Sequence, residues 1–252
     1  MLIQALTALA TVGSLLTPTL ATPLTKHTDP VASTTCNGKT YVYEELAGYG
    51  LLPSDFRDKT GDTLGGIGSS IALDLTTWKK KGPKHKSHDS KGDTYTGILY
   101  AIPDRGWNTQ GTQNTQSRIQ KLAITLEVVD SATVEKPASP NLKIKYLDTI
   151  LLTGPDGTPC TGLDADAHGH ASFPGFPDLP VATYEGDGFG GPGPGGKRIS
   201  VDAEGLVLAD DGSFWISDEY GPYVYHFDRK GKMVGAIRPP DAFIPVRNGT
   251  ER

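Results

Sequence analysis

The chain is short of the features that would make it helical, membrane-spanning or nucleic-acid binding. Among its 252 residues there are only two methionines and two cysteines. Leu-rich stretches with a helical period are scarce. No segment reaches the ~20 consecutive apolar residues that a membrane-spanning helix needs. With a formal net charge of −5 and a pI near 5.7 there is no basic face for nucleic acid, so nucleic acid and membrane are both set aside as partners. There is no Gly-x-Ser-x-Gly elbow for a nucleophilic serine, and no Arg-His-Gly tripeptide for a nucleophilic histidine. Neither cysteine has histidine or cysteine neighbours at zinc-ligand spacing. The glycines between Gly186 and Gly196 lack the following Lys-Ser/Thr of a phosphate-cradling loop.

What is present is Gly and Pro, 31 and 19 residues, a composition of short strands and many turns. Met1 to Ala21 carries no charged side chain, holds an apolar stretch from Ala5 to Leu16, breaks at Pro18 and ends on small residues. That is the layout of a secretory signal peptide, too short for an anchor, so the protein is expected outside the cell. In that oxidising setting Cys36 and Cys160 are expected to form one disulfide, with two free thiols as the alternative. Asn248-Gly249-Thr250 is a glycosylation sequon usable on an exported chain.

Residues 22–61 read as a polar arm, with Thr40 to Leu52 offering at most a partial blade, and 62–252 as the principal domain. Its clearest unit begins at Gly205. Strands over Leu206–Ala209, Phe214–Ser217, Tyr223–Phe227 and Met233–Ile237 are separated by the turn signals Asp210-Asp211-Gly212, Asp218 to Pro222, and Arg229 to Lys232. Four short antiparallel strands in succession are the size of a β-propeller blade. A looser copy lies upstream, over Ile67–Leu73, Gly97–Ile102, Ile119–Leu126 and Lys143–Leu152. There Pro103-Asp104-Arg105-Gly106 occupies the place of Asp218 to Gly221. The basic run Trp78 to Lys91 reads as a solvated insertion, or as an anion-binding arm. Thr153 to Ser200 reads as a long irregular connection. Two blades fall short of the four to eight that close a propeller. The expected fold is therefore all-β, a propeller of four-stranded antiparallel blades that is incomplete in this chain.

In an up-and-down blade, the entry to the first strand and the turn between the second and third share a face. This places Asp202 and Glu204 beside Asp218 and Glu219, with Asp104 and Arg105 joining from the upstream copy. Asp62, Asp164 and Asp166 are also within reach of that face. The pair Asp210-Asp211 falls on the opposite side, as turn chemistry. Converging carboxylates suit a hard divalent cation, above all Ca²⁺, although Asp in a turn also serves simply to cap backbone N–H groups. Asp202, Glu204, Asp218 and Glu219 are the candidate ligands; Asp104, Arg105 and Glu204 are the candidate catalytic groups. Arg105, with Lys197 or Arg198, is a candidate to hold an anionic substrate group. His168 and His170 have ligand chemistry but no strand to fix them.

The string Asp202-Ala203-Glu204-Gly205-Leu206, then Asp211 through Pro222, resembles the phytase-like domain family, also described as having esterase-like activity of phytase. Ile102 to Gly106, Thr161 to Asp166 and Pro239-Pro240 fit the same pattern, over about Asp62 to Pro245. The resemblance implies a β-propeller and a hydrolase acting on phosphate or other esters, with a small anionic or ester substrate. It also implies a domain that continues beyond Arg252. A metal-dependent ester hydrolase is thus the leading expectation. A non-catalytic ligand-binding propeller and a lactonase-type propeller are the alternatives.

Overall fold

The computed structural model describes residues 32–43, 48–82, 91–106, 111–129, 132, 138–219, 221–247 and 250–251. The segment read as a signal peptide, His85, His88, Tyr220 and the sequon residue Asn248 lie outside the described residues. The chain divides into two compact units, one of residues 1–45 with 132–137 and the other of the remainder. Within the first, β1 (Ala32–Cys36) and β2 (Lys39–Tyr43) form an antiparallel hairpin. Its turn places Asn37 and Gly38 at positive φ, as a two-residue hairpin connection requires.

The larger unit is all-β. Its first sheet is a four-stranded meander, β3 (Ser70–Lys81), β4 (Lys91–Ile102), β5 (Arg118–Val129) and β6 (Leu142–Leu151), in sequence order with every pair antiparallel. The second, β10 (Ala203–Leu208), β11 (Phe214–Asp218), β12 (Val224–Phe227) and β13 (Met233–Ile237), is built in the same way. Both blade-like sheets therefore form where the hydrophobic pattern and turn residues place them. Period-2 burial runs down the second: Phe214, Ile216 and Asp218 alternate inward, as do Tyr225 and Phe227.

Two expectations about connections change. Trp78 to Lys81 is not part of a surface insertion but the end of β3, where Trp78 stacks on Tyr95 at 5.4 Å after a bulge following Asp74. The connection Thr153 to Ser200 is not irregular throughout. It holds a three-stranded antiparallel sheet of β7 (His170–Ala171), β8 (Leu179–Tyr184) and β9 (Gly196–Ile199). A strand therefore does fix His170. The two cysteines of the expected disulfide belong to different units: Cys160 is fully buried among apolar side chains of the larger one, and Cys36 is exposed in the hairpin. Burial pushes the Cys160 thiol well above its ordinary pKa, which leaves it inert.

One apolar core joins the three sheets. Tyr100, Ile102, Ile119 and Leu152 meet Leu179, Val181 and Ile199, and these meet Leu206, Phe214, Ile216, Tyr225 and Phe227. On the other side of the first meander, Leu64, Ala101 and Leu122 gather Leu52, Phe56 and Ile67, so the segment after residue 48 packs onto that sheet. No helix among the described residues is long and apolar enough to cross a membrane.

Candidate functional site

The second meander clamps its own acidic end. The Asp202 N–H donates to the Asp218 carboxylate at 3.1 Å, and the Glu219 N–H donates to the Asp202 carbonyl at 3.1 Å. The entry to β10 and the turn after β11 are thereby held side by side. Ala203 pairs with Asp218 and Gly205 with Ser217, leaving Glu204 as the extra residue of a β-bulge. Ala203 and Leu206 can then both face the core at a spacing of three, while Glu204 is turned aside. Gly205 permits the close approach, because a Cβ there would stand 2.2 Å from Ser217 Oγ. The outcome is a group of three carboxylates, Asp202, Glu204 and Glu219, each offering an oxygen within 4.8 Å of the others.

The first meander adds its β4–β5 connection. The Arg105 N–H donates to Asp202 Oδ1 at 3.1 Å, and Arg105 Nε lies 3.1 Å from Asp202 Oδ2. A second nitrogen of the same guanidinium pairs with Asp164. Asp104 accepts from the Gly106 N–H at 2.7 Å and adds negative charge to the field felt by Asp202 and Glu204. Burial raises the Asp202 pKa; the N–H and charge of Arg105 oppose this only in part, and Glu219 and Asp104 add to it. Glu204 is raised too, first by burial and then by the charges of Asp202, Glu219 and Asp104. Crowding that disfavours the ionised forms of Asp202 and Glu204 is a strain that a cation would relieve.

The remaining expected residues take other positions. Asp218 is buried and accepts from the N–H groups of Asp202 and Gly221, so it is the clamp of the cluster and stands outside the three-carboxylate group. The Arg105 side chain is 4% exposed, with its fork turned to Asp164 and Asp202. Asp62 pairs with Arg118 at 2.6 Å. Asp166 accepts from the N–H and hydroxyl of Thr183. Arg198 donates to Asn114 and stacks over Tyr184. On the far side, Asp211 accepts the Ser213 hydroxyl at 2.6 Å, and that oxygen lies 2.9 Å from His226 Nε2. Since the serine donates to the aspartate, the histidine N–H donates to it, the reverse of a nucleophile–base pair.

The reading of the sequence missed a second polar centre. Asp58 is buried and accepts from Thr60, Arg118, Gln120 and Thr149. The sign of it in the sequence is Arg118 and Gln120 preceding Leu122 at alternate positions of β5, polar groups on a face directed inward. Arg118 and Arg105 stand on the wall of an open cavity of about 300 Å³, together with Asp62 and Asp104.

The family model for phytase-like proteins, described as esterase-like activity of phytase, matches residues 90–252, from β4 through the end of the chain. An uncharacterized secreted protein of Arthroderma benhamiae is 62% identical over 219 residues, 87% of this chain. The chain spans 41% of the length of that relative. No solved structure matches it.

Proposed function

The chain belongs to the phytase-like family, and on that footing we propose that it is a secreted hydrolase of phosphate esters that works with a bound divalent cation. Export is in keeping with its own leader sequence and with the designation of its relative. The single observation that carries the reading is the convergence of Asp202, Glu204 and Glu219 within 4.8 Å. The donors are all oxygen, which fits a hard ion such as Ca²⁺, and water and carbonyl oxygens would complete its six to eight ligands. When bound, such an ion polarises a phosphoryl oxygen and lowers the pKa of a coordinated water.

The protein's own part is arrangement. Arg105 holds Asp202 in one orientation from both its backbone and its side chain, and Asp218 fixes the backbone beneath. Glu204 and the half-buried Asp104 are the carboxylates that would take a proton from attacking water and pass it to the leaving ester oxygen. Water adds to phosphorus, the ester oxygen leaves as the alcohol, and inorganic phosphate is released.

The test is phosphate release from phytate and from an aryl phosphate by the secreted chain, with calcium and with a chelator. Calcium-dependent release is expected, and Glu204→Gln or Asp202→Asn should lower it by roughly 10²-fold or more. If both variants keep full calcium affinity and full activity, the assignment fails. Lactone turnover without phosphate release would select a lactonase instead; calcium binding with no hydrolysis would select a binding module.

A further inference from the structure

The cavity beside the carboxylate cluster has a chemistry of its own. Its volume of about 300 Å³ is at the lower end for small-molecule sites, which run to roughly 1,000 Å³. Asp104 is the link, since it lines this cavity and also acts on Asp202 and Glu204. Apart from Pro103, the other side chains of the wall are hydroxyls and amides: Thr63, Gln113, Thr115, Gln116 and Ser117. Backbone lines the cavity between them at Gly65, Gly66, Gly106 and Gly162, and the buried Gly162 lets Arg105 pack closely, because a Cβ there would stand 2.9 Å from Arg105 Cβ.

Two guanidinium groups in such a wall suggest an anion site, but their pairing argues against it. Arg105 is held by Asp164 and Asp202, and Arg118 by Asp58 and Asp62. With Asp104, five carboxylates surround two guanidinium groups, so the local field repels a second negative group. A simple cation is poorly matched as well, since Asp62 is engaged with Arg118 and most of the remaining wall is hydroxyl and amide. What fits is an uncharged group bearing many hydroxyls, each able both to donate to a carboxylate and to accept from an amide or guanidinium.

We infer that this cavity takes the alcohol part of the substrate, a neutral polyhydroxylated ring such as a sugar or cyclitol, while the ester group lies toward the carboxylate cluster. The inference rests on the proposed function for the position of the ester, but polyol binding is measurable without hydrolysis. It also makes a polyphosphorylated ring a poorer substrate than a ring with one phosphate.

The experiment titrates the secreted chain with methyl glucoside and myo-inositol, by calorimetry or by chemical-shift change, with and without calcium. Saturable binding in the millimolar range is expected, weakened about tenfold by Thr63→Val with Thr115→Val, a nearly isosteric pair that removes two hydroxyls. Sugar monophosphates should also be hydrolysed faster than phytate. No saturation by about 100 mM polyol, or binding unaltered in the double variant, overturns the cavity assignment. Polyol binding with no hydrolysis of any phosphate ester leaves the cavity assignment standing and removes the hydrolase reading. Hydrolysis without polyol binding does the reverse.

Discussion

Single residues divide the acidic chemistry into two kinds, and Asp218 and Glu219 show the division best. They are adjacent carboxylates, and both were expected as ligands. Strand alternation in β11 sends Asp218 inward behind Phe214 and Ile216, where backbone N–H groups take it, and leaves Glu219 outside. That difference was readable from the period of the strand. The Asp58 centre left only the polar pair of β5 as its sign, because apart from Thr60 its partners are 60 to 91 residues distant in sequence. Burial alone would raise the Asp58 pKa, yet the hydrogen bonds from Thr60, Gln120 and Thr149 outweigh it and hold the carboxyl well below its usual range. The folded state therefore binds this proton less readily than the unfolded chain, whose Asp titrates near ~3.9. Its stabilisation is complete above that value and is lost as pH falls below it. Urea titrations from neutral pH down to the limit of folding should show stability falling below about pH 4 in the wild type, and a flatter dependence in Asp58→Asn. Asp58→Ala, which leaves Arg118 with Asp62 as its carboxylate partner but takes the shared acceptor from Gln120 and Thr149, should cost about 1–3 kcal/mol at neutral pH.

At the scale of elements, the second meander was legible because its strands alternate and the turns at Gly212 and Gly231 carry Asp and Gly where their geometry needs them; in the first, the order of strands was legible and the end of β3 was not. Nor was the sheet of β7 to β9. Leu179-Pro180-Val181 has a proline within the strand, and Gly196-Lys197-Arg198 has almost no apolar signal, so neighbouring backbone decides what the local pattern leaves open. The bulge at Glu204 was also hidden, since a bulge is a property of the pair Ala203/Gly205 against Asp218/Ser217 rather than of one strand. Two turns of the same construction show how much the surroundings add. The turn from Ala209 to Ser213 and the turn from Asp228 to Lys232 close with equivalent backbone bonds, and Gly212 and Gly231 sit at φ of 80° and 85°. A Cβ on Gly212 would meet nothing within 4 Å, whereas one on Gly231 would stand 2.3 Å from the Leu151 carbonyl oxygen of the other meander. Gly212→Ala should cost about 1 kcal/mol, the price of a left-handed conformation alone, and Gly231→Ala at least roughly twice as much. Equal costs in chemical denaturation would show that the turn of β12 and β13 does not bear on the first meander.

Over the whole larger unit, the seam at Gly231 is one of several that tie the sheets together. The Thr153 N–H donates to the Gly231 carbonyl at 2.8 Å, and the Met233 N–H returns a bond to the Thr153 carbonyl at 2.9 Å. The Leu206 N–H donates to Ser70 Oγ at 3.1 Å, and the Tyr100 ring meets Phe214 edge-on at 5.3 Å. Residues of both meanders and the middle sheet share one apolar core, with Phe214, Phe227, Ile102 and Leu179 fully buried or nearly so. Separating the sheets would expose side chains worth about 1.5–3 kcal/mol each, more than a single marginal sheet could tolerate. The carboxylate cluster depends on this, because Asp202 belongs to one meander and its partner Arg105 to the other. The larger unit should therefore unfold in one step, and tryptophan provides the means to see it. Trp78 reports the first meander, stacked on Tyr95, and Trp215 the second, stacked on His226 at 4.2 Å. In a Trp107→Phe background, Trp78→Phe and Trp215→Phe leave one reporter apiece. Their urea transitions, each compared with the shared circular-dichroism curve of the same variant, should give coincident midpoints. A fluorescence transition displaced from the circular-dichroism curve in either variant would mean that one meander survives without the other. In that event the Arg105–Asp202 pair would be broken along the earlier transition.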